Sequence, residues 1–193
     1  MLGDPITAED ALQNPSNGYR ASKTFAEKAA WDFVEKEKPG FTITTMCPPL
    51  VLGPIVPNLQ SLDSLNTSNQ RVLNIISGKA KDEIPATGTY LWVDVRDLAL
   101  AHVRATEVKE AENKRFFVTA GHFSNKEIAD VIRDNFPNLK DKVPAKDVKG
   151  GDYPEEGFYG FDNSRTKKVL SMDFRDLKES IVDTVKSLQA EGA

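Results

Sequence analysis

Apolar positions recur along this chain with helical spacing in some stretches and as short continuous runs in others. In residues 17–38 apolar side chains recur every fourth position, at Ala21, Phe25, Ala29 and Phe33. This spacing predicts a long helix with one apolar face, ended by Pro39-Gly40. Residues 41–47 are β-branched and apolar, and they predict a buried strand that runs to Cys47.

The next segment is rich in proline. Prolines at 48, 49, 54 and 57 each lack an amide donor, so no regular structure is expected in residues 48–57. A helix is predicted to begin near Thr67 or Ser68. Its inward-facing residues are expected to be Val72, Ile75 and Ile76.

Residues 90–107 predict a short strand that passes directly into a helix. Asp94 suits the N-cap of this helix, and Asp97 lies in its first turn, where a carboxylate complements the helix dipole. Asp94, Arg96 and Asp97 could also be catalytic. A cap and an ion-pair network are the favoured interpretation.

The last third of the chain continues the alternation. Residues 115–120 predict a strand, and Ser124 with Glu127 forms a capping box for the helix that follows. Residues 137–160 have no clear period and predict a surface loop region. A short helix is expected at 164–170. A terminal amphipathic helix is indicated by Leu177, Ile181, Val185 and Leu188.

Helices and strands therefore alternate, which predicts an α/β fold with a doubly wound, mainly parallel sheet. Only three strands are clear, whereas a typical sheet of this kind has about six. The sequence thus predicts a partial sheet of this kind, as part of something larger.

Composition narrows the functional classes. The chain has 193 residues and a formal net charge of -4, which favours one domain and argues against a nucleic-acid-binding protein. No apolar run approaches the roughly 20 residues that span a bilayer, so no membrane segment is expected. The only cysteine, Cys47, forbids an intrachain disulfide and suits the cytoplasm. Two isolated histidines, His102 and His122, make no metal signature, so no metal site is expected.

The strongest candidate for chemistry is a Tyr–Lys pair near the beginning of the chain. Tyr19 and Lys23 are four residues apart, so on a helix they share one face. A lysine ammonium beside a phenol stabilises the phenolate, which makes the tyrosine an effective general acid or base near neutral pH. A surface tyrosine packed on a lysine stem is the alternative. The small residues Ala21 and Ser22 between the pair would let a ligand approach the helix closely.

Five segments together resemble one family. "NGYRASKTFAEKAAWDF" is similar to the active-site helix of extended short-chain dehydrogenases/reductases. "CPPLVLGP", "LNTSN", "YLWVDVRDLALAHVRA" and "RFFVTAGHFSNKEIADVI" resemble further segments of that family in the same order. The likeness is greatest to fungal NADPH-dependent methylglyoxal and aldehyde reductases, close to dihydroflavonol-4-reductase and cinnamoyl-CoA reductase. It extends over essentially the whole chain.

The resemblance implies a role for each matching position. Tyr19 would be the catalytic acid/base, and Lys23 would hydrogen-bond the nicotinamide ribose. Pro48 and the backbone at Leu50 and Val51 would contact the nicotinamide carboxamide, and Ser68 would face the cofactor phosphates. Cys47 stands where the family usually has Asn, with little expected consequence. The substrate pocket would be formed in part by four apolar residues, Ile55, Val56, Leu59 and Leu62.

The family's G-x-x-G-x-x-G phosphate loop does not occur in this sequence. The family's catalytic Ser or Thr and its residue that discriminates NADP from NAD are also expected in a preceding half. The chain is therefore interpreted as the C-terminal part of a longer reductase. In this interpretation residues 1–53 and roughly 88–104 belong to the Rossmann core, and roughly 54–87 and 105–193 to the substrate lobe. An exposed sheet edge would favour self-association.

The leading hypothesis is NADPH-dependent reduction of a small-molecule aldehyde or ketone by the full-length parent. One alternative is a nucleotide-sugar epimerase or dehydratase, which uses the same Tyr–Lys pair. The 54–63 segment has few basic residues for a diphosphate, which argues against it. A second alternative is a non-catalytic relative that senses or binds the cofactor.

The 193-residue polypeptide alone should bind NADP(H) poorly, because it has no glycine-rich loop to hold the pyrophosphate. A calorimetric titration with NADPH, followed by a turnover assay with carbonyl substrates, checks this. Tight binding together with ketone reduction by this polypeptide would contradict the interpretation.

Overall fold

A computed structural model describes residues 6–57 and 61–193, and within them it has the alternating α/β character that the sequence predicts. The helices and strands, in chain order, are α1 (Ala8–Ala11), α2 (Pro15–Glu37), β1 (Thr44–Cys47), β2 (Leu50–Leu52), α3 (Thr67–Ile76), β3 (Leu91–Asp94), α4 (Val95–Glu107), β4 (Lys114–Phe117), β5 (Gly121–His122), α5 (Asn125–Asn135), α6 (Ser164–Val169) and α7 (Leu177–Ala190). Short 3-10 turns lie at Leu62–Ser64, Lys109–Ala111 and Pro137–Leu139.

The chain divides into two compact units. The first comprises Met1–Thr45 and Glu110–Arg115, and the second comprises Met46–Lys109 and Phe116–Ala193. Strands β1 and β4 form a two-stranded sheet, and the boundary between the units passes through both strands. The first unit contains α1 and α2. The assignment of segments to a cofactor core and a substrate lobe stays a prediction.

The second unit contains a three-stranded sheet in the order β2-β3-β5. β2 runs parallel to β3, with Val51 opposite Val93, and β5 runs antiparallel to β3. All four residues of β3 are buried, as expected for the central strand. The parallel pair confirms the predicted α/β class, and the antiparallel β5 makes this sheet mixed.

The expectation of no regular structure in residues 48–57 was wrong, because β2 lies there. The prolines flank this strand instead of interrupting it, so all three residues of Leu50–Leu52 keep their amide donors. Gly53 then takes a φ of 124°, a conformation that strongly favours glycine. A Cβ atom at Gly53 would also lie only 2.8 Å from Val95 Cγ1. Because Val95 is the first residue of α4, the absence of a side chain at Gly53 lets the end of β2 pack closely against the start of this helix.

The hydrophobic core of the second unit lies between the sheet and helices α3, α5 and α7. Its fully buried members include Leu52, Val72, Phe123, Ile128, Ile132, Ile181, Val185 and Leu188. The predicted inward faces of α3 and α7 are confirmed by this burial. Residues 137–160 are not simply a surface loop, since Leu139 and Val143 pack into the same core.

Local capping signals in the sequence predict helix starts well. Ser124 and Glu127 form the expected capping box of α5, and the Asp94 carboxylate accepts from the Arg96 amide at the start of α4. Helix α1 was not predicted, although Thr7 and Asp10 form a second capping box. β1 is shorter than predicted and only half-buried.

Asp94 also anchors an ion-pair network. Arg96 donates to both carboxylate oxygens of Asp94, with each distance 2.9 Å, and its Nη1 reaches Asp183 of α7 at 2.7 Å. Arg175 pairs with the buried Asp97. The structure thus agrees with the predicted cap and ion-pair network. Burial raises the pKa of the Asp94 carboxyl, but the hydrogen bonds and charge of Arg96 outweigh it and hold this pKa below its usual value.

We expect Asp94→Asn to lower the free energy of unfolding at pH 7 by about 2 kcal/mol, because Arg96 loses its buried anionic partner. Since the folded-state pKa is lowered, this stability is present above the unfolded-state pKa, about 3.9, and is lost as the pH falls below it. Urea unfolding of both proteins from pH 7 to pH 3.5 measures the difference. The exposed Asp32→Asn is the control and should change stability by less than about 0.5 kcal/mol. An Asp94→Asn effect of equal size at both ends of this pH range would contradict the assignment.

Candidate active site

Helix α2 carries the Tyr–Lys pair, and its two ends explain why it forms. The Asn14 side chain accepts from the Asn17 amide at the N-cap, and Pro15 occupies the first turn. Lys38 ends the helix in the left-handed conformation, at a φ of 45°. The helix begins two residues before the predicted 17–38 segment.

Tyr19 and Lys23 lie side by side on an exposed face of α2. The Lys23 ammonium nitrogen is 5.4 Å from the centre of the Tyr19 ring, and 66% of Tyr19 is exposed. Between them Ser22 turns its hydroxyl back to donate to the Tyr19 carbonyl at 2.7 Å. Both the phenol and the ammonium are therefore open to a ligand, with only small side chains between them.

Glu27, one turn beyond Lys23, fixes α2 within the first unit. Its Oε1 accepts from the Thr45 hydroxyl of β1 at 2.9 Å and from Arg115 Nε of β4 at 2.8 Å. The indole of Trp31 donates to the same oxygen at 3.3 Å. Burial raises the pKa of this carboxyl, but the donors outweigh burial and hold the pKa below its usual value. One carboxylate thus ties the helix of the Tyr–Lys pair to the two-stranded sheet.

The predicted apolar face of α2 is largely uncovered. Ala21 is buried, but Phe25 is 44% exposed and Phe33 is 51% exposed. Large apolar side chains exposed along one face of a helix indicate a packing surface that the described residues do not fill.

The segment predicted to contact nicotinamide lies in the second unit. Pro48 precedes β2, and Leu50 and Val51 belong to it. β2 is an edge strand of its described sheet, so β3 engages only every second residue and the remaining backbone groups point away from it. The open edge leaves some of them available.

Ser68 lies in the first turn of α3, at the same end of the sheet. Asn69 brings it there, because its amide nitrogen donates to the Gly53 carbonyl just after β2, at 3.2 Å. Asn69 is buried, and its Oδ1 accepts no hydrogen bond within the described parts of the chain. Asn69 was not among the predicted site residues, although its place beside Ser68 in "LNTSN" was a usable signal.

The four predicted substrate residues have different surroundings. Ile55 and Leu62 pack against the core, and the Ile55 amide donates to Ser187 Oγ of α7 at 3.0 Å. Val56 is 80% exposed. Leu59 lies outside the described residues. Their common role in a pocket stays a prediction.

The second unit has a cavity of about 340 Å³ that the sequence analysis missed. α3 contributes Gln70, Arg71 and Asn74, and the facing wall contains Pro85, Ala86 and Asn125. The cavity is lined by residues from three separated segments of the chain, so no local sequence pattern predicts it.

Two further properties concern ligands and membranes. Among residues 6–57 and 61–193, no group of three or more His, Cys, Asp or Glu side chains is placed to hold a metal ion. His122 lies in β5, and its ring packs edge-on against Phe158 and Phe161. Within the same residues, no helix has the length and apolar character needed to cross a bilayer.

The family model described as "NAD dependent epimerase/dehydratase family" matches residues 2–120, which include the Tyr–Lys pair, β2, α3 and α4. The chain belongs to this family. The resemblance to extended short-chain dehydrogenases/reductases is thereby confirmed.

Two relatives that are similar to this chain over most of its length are named as reductases. Ketoreductase azaE of Aspergillus niger is 50% identical over 184 residues, which are 95% of this chain and 54% of that protein. NADPH-dependent methylglyoxal reductase GRE2 of Saccharomyces cerevisiae is 35% identical over 96% of this chain and 54% of that protein. The chain spans about half the length of these curated relatives.

Solved structures of the family agree with the fold. The crystal structure of Gre2 from Candida albicans in complex with NADPH matches 97% of this chain and 56% of that chain, with 38% identity and a TM-score of 0.86. The Rossmann-type class, the reductase family and the association of these relatives with NADPH are as the sequence resemblance predicts.

We expect Glu27→Ala to loosen α2 locally, because Thr45, Arg115 and Trp31 lose their shared acceptor. The loss of hydrogen bonds to a charged group costs about 2 kcal/mol, so hydrogen exchange of the α2 amides should accelerate about 30-fold. Mass spectrometry of peptides from residues 19–34 measures this, with peptides from α7 as an internal reference. Glu35→Ala, at an exposed position of the same helix, is the matched control. Equal acceleration in the two variants would rule out the anchoring role.

Proposed function

We propose that the full protein reduces an aldehyde or ketone to the corresponding alcohol with NADPH. The observation that carries this is the placement of the Lys23 ammonium 5.4 Å from the Tyr19 ring, with both side chains exposed on α2. The names of the similar reductases from Aspergillus niger and Saccharomyces cerevisiae support the same reaction class.

Tyr19 is the proposed acid. NADPH, when bound, supplies the hydride that reduces the carbonyl carbon. Tyr19 Oη hydrogen-bonds the carbonyl oxygen and donates its proton there, so that the carbonyl becomes an alcohol and the phenol becomes a phenolate. In the reverse direction the phenolate takes the proton back. Exposure of the phenol on α2 supports this role, because the hydroxyl must reach a substrate.

Lys23 is proposed to act on Tyr19 and on the cofactor ribose. Its positive charge stabilises the phenolate that Tyr19 becomes after proton transfer, since opposite charges at close range favour the ionised form. Its ammonium carries three donors, so hydrogen bonds to a ribose hydroxyl remain open while the charge stays near the phenol. Glu27 is the positioning residue, because it fixes the helix that holds both groups.

The second unit supplies groups that fit a dinucleotide. Asn66, the N-cap residue of α3, makes no side-chain cap bond, so the first-turn amides near Ser68 are left for an anionic phosphate. Pro48 and the outward backbone groups of Leu50 and Val51 are the proposed contacts of the nicotinamide carboxamide. Hydrogen-bonding groups at a strand edge suit an amide that both donates and accepts.

The proposed substrate is a small carbonyl compound with apolar substituents. Ile55, Val56, Leu59 and Leu62 would form part of its pocket. Their side chains offer no charge to bind a diphosphate, which favours a simple carbonyl substrate over a nucleotide sugar.

We expect Tyr19→Phe to lower kcat for carbonyl reduction at least 100-fold, because phenylalanine cannot donate the proton. Binding of NADPH should change little, because the variant keeps the aromatic ring. The protein is expressed with a C-terminal tag, and turnover is followed through the loss of absorbance of the reduced nicotinamide. Fluorescence titration gives the NADPH affinity.

Lys23→Met should lower kcat and also weaken NADPH binding, because Lys23 serves both the phenolate and the ribose. Lys28→Met removes an exposed lysine from the same helix and is the control.

A Tyr19→Phe protein that keeps more than about one tenth of the kcat would refute the acid role.

A further inference from the structure

Arg71 places a positive charge inside the cavity of the second unit without an anionic partner. Its Nη1 donates to the Asn125 side-chain oxygen at 2.6 Å and to the Thr87 carbonyl at 3.1 Å, and both acceptors are neutral. Within residues 6–57 and 61–193, no carboxylate oxygen lies within 4.0 Å of its guanidinium nitrogens. By contrast, the partly buried Arg96 forms an ion pair with Asp94.

Its surroundings hold the guanidinium in one place. Asn125 is buried, its amide nitrogen donates to the Pro85 carbonyl at 2.8 Å, and its backbone N–H donates to Thr87 Oγ1 at 3.0 Å. These bonds turn the Asn125 oxygen toward Arg71. On another side, the guanidinium carbon lies 5.7 Å from the centre of the Phe123 ring. The charge is thus positioned by groups that are themselves fixed.

Arg71 is half-buried and its hydrogen-bond partners are neutral, so no nearby negative charge offsets its positive charge. Burial lowers the pKa of Arg71 below its usual value, which reflects the loss of hydration. An arginine remains charged in proteins nevertheless. In the described parts of the chain, neither Nε nor Nη2 donates a hydrogen bond, so two sides of the planar guanidinium are open to an acceptor.

The rest of the cavity wall has a polar part and an apolar part. Beside Arg71, the Asn74 side-chain oxygen accepts from Gln70 at 3.0 Å, which leaves the Asn74 amide hydrogens for a ligand. Leu65, Ile75, Ala80, Pro85 and Ala86 make the remaining wall apolar. At about 340 Å³ the volume is in the lower part of the range for small-molecule sites.

We propose that this cavity binds a small organic carboxylate, with the carboxylate on Arg71 and Asn74 and a short apolar body against Pro85 and Ala86. An arginine fork matches a carboxylate in shape and charge. One cation suits a single negative charge better than a phosphate, which carries about 1.5 to 2 negative charges at pH 7. The proposal concerns the second unit alone and does not depend on the proposed reductase activity.

Isothermal titration of the protein with hexanoate tests the site. We expect saturable binding with a dissociation constant of about 1 mM or tighter, and at least tenfold weaker binding of hexanamide, which has the same shape without the charge. Inorganic phosphate is a third arm and should bind more weakly than hexanoate. Hexanamide binding as tightly as hexanoate, or phosphate binding more tightly, would overturn the carboxylate assignment.

Two substitutions connect binding to the residues. Arg71→Gln should weaken hexanoate binding at least about tenfold, whereas Lys79→Gln removes the same charge from an exposed neighbouring position and should leave it within twofold. Near-UV circular dichroism reports whether each variant is folded. Asn74→Leu removes the amide hydrogens proposed to bind the carboxylate and keeps every hydrogen bond of Asn125, so it should also weaken hexanoate binding. If the Arg71→Gln protein is folded, unchanged hexanoate binding by it would contradict the proposal. If the Arg71→Gln protein is unfolded, unchanged hexanoate binding by the Asn74→Leu protein would contradict the proposal.

Discussion

The buried carboxylate of Asp94 is the point on which the second unit depends. It lies where the central strand β3 ends and α4 begins, and it caps that helix while it holds Arg96 by two hydrogen bonds. Arg96 then reaches Asp183, so α7 is tied to the same junction. Gly53 has no side chain because Val95 and the Asp94 oxygens occupy that space. The end of β2, the start of α4 and the face of α7 are therefore arranged around one charge, which must stay ionised for the arrangement to persist.

Much of this could be predicted from the sequence because the signals are local. The capping box of α5, the cap at Asp94 and the apolar stripes of α3 and α7 each occupy a few consecutive residues or turns. β2 was not predicted, because prolines on both sides dominate a three-residue strand whose stability comes from pairing with β3. Val143 belongs to the core although its segment shows no hydrophobic periodicity, so its burial depends on tertiary packing that the local sequence does not indicate.

The candidate site and the cavity likewise combine a local feature, which the sequence predicts, with contacts between distant segments, which it does not. Tyr19 and Lys23 are one helical turn apart, so their proximity follows from spacing, and the family resemblance gave the pair its meaning. Glu27 is close to them in sequence, yet its partners Thr45 and Arg115 lie 18 and 88 residues away. Arg71 and Asn125 are separated by 54 residues. Contacts of this kind have no local signature, and they supply the anchor of the Tyr–Lys helix and the charge inside the cavity.

The prolines around β2 have one more effect. A short edge strand can slip along its neighbour, and a shift of one residue turns every side chain to the opposite face. Here a slipped β2 would lose the burial of Leu52, which is fully enclosed. It could not regain pairs by growing, since Pro49 directly precedes it with no amide to donate, and Gly53, at a φ of 124°, and Pro54 follow it. The short strand therefore has one register, and its outward backbone groups lie at fixed positions.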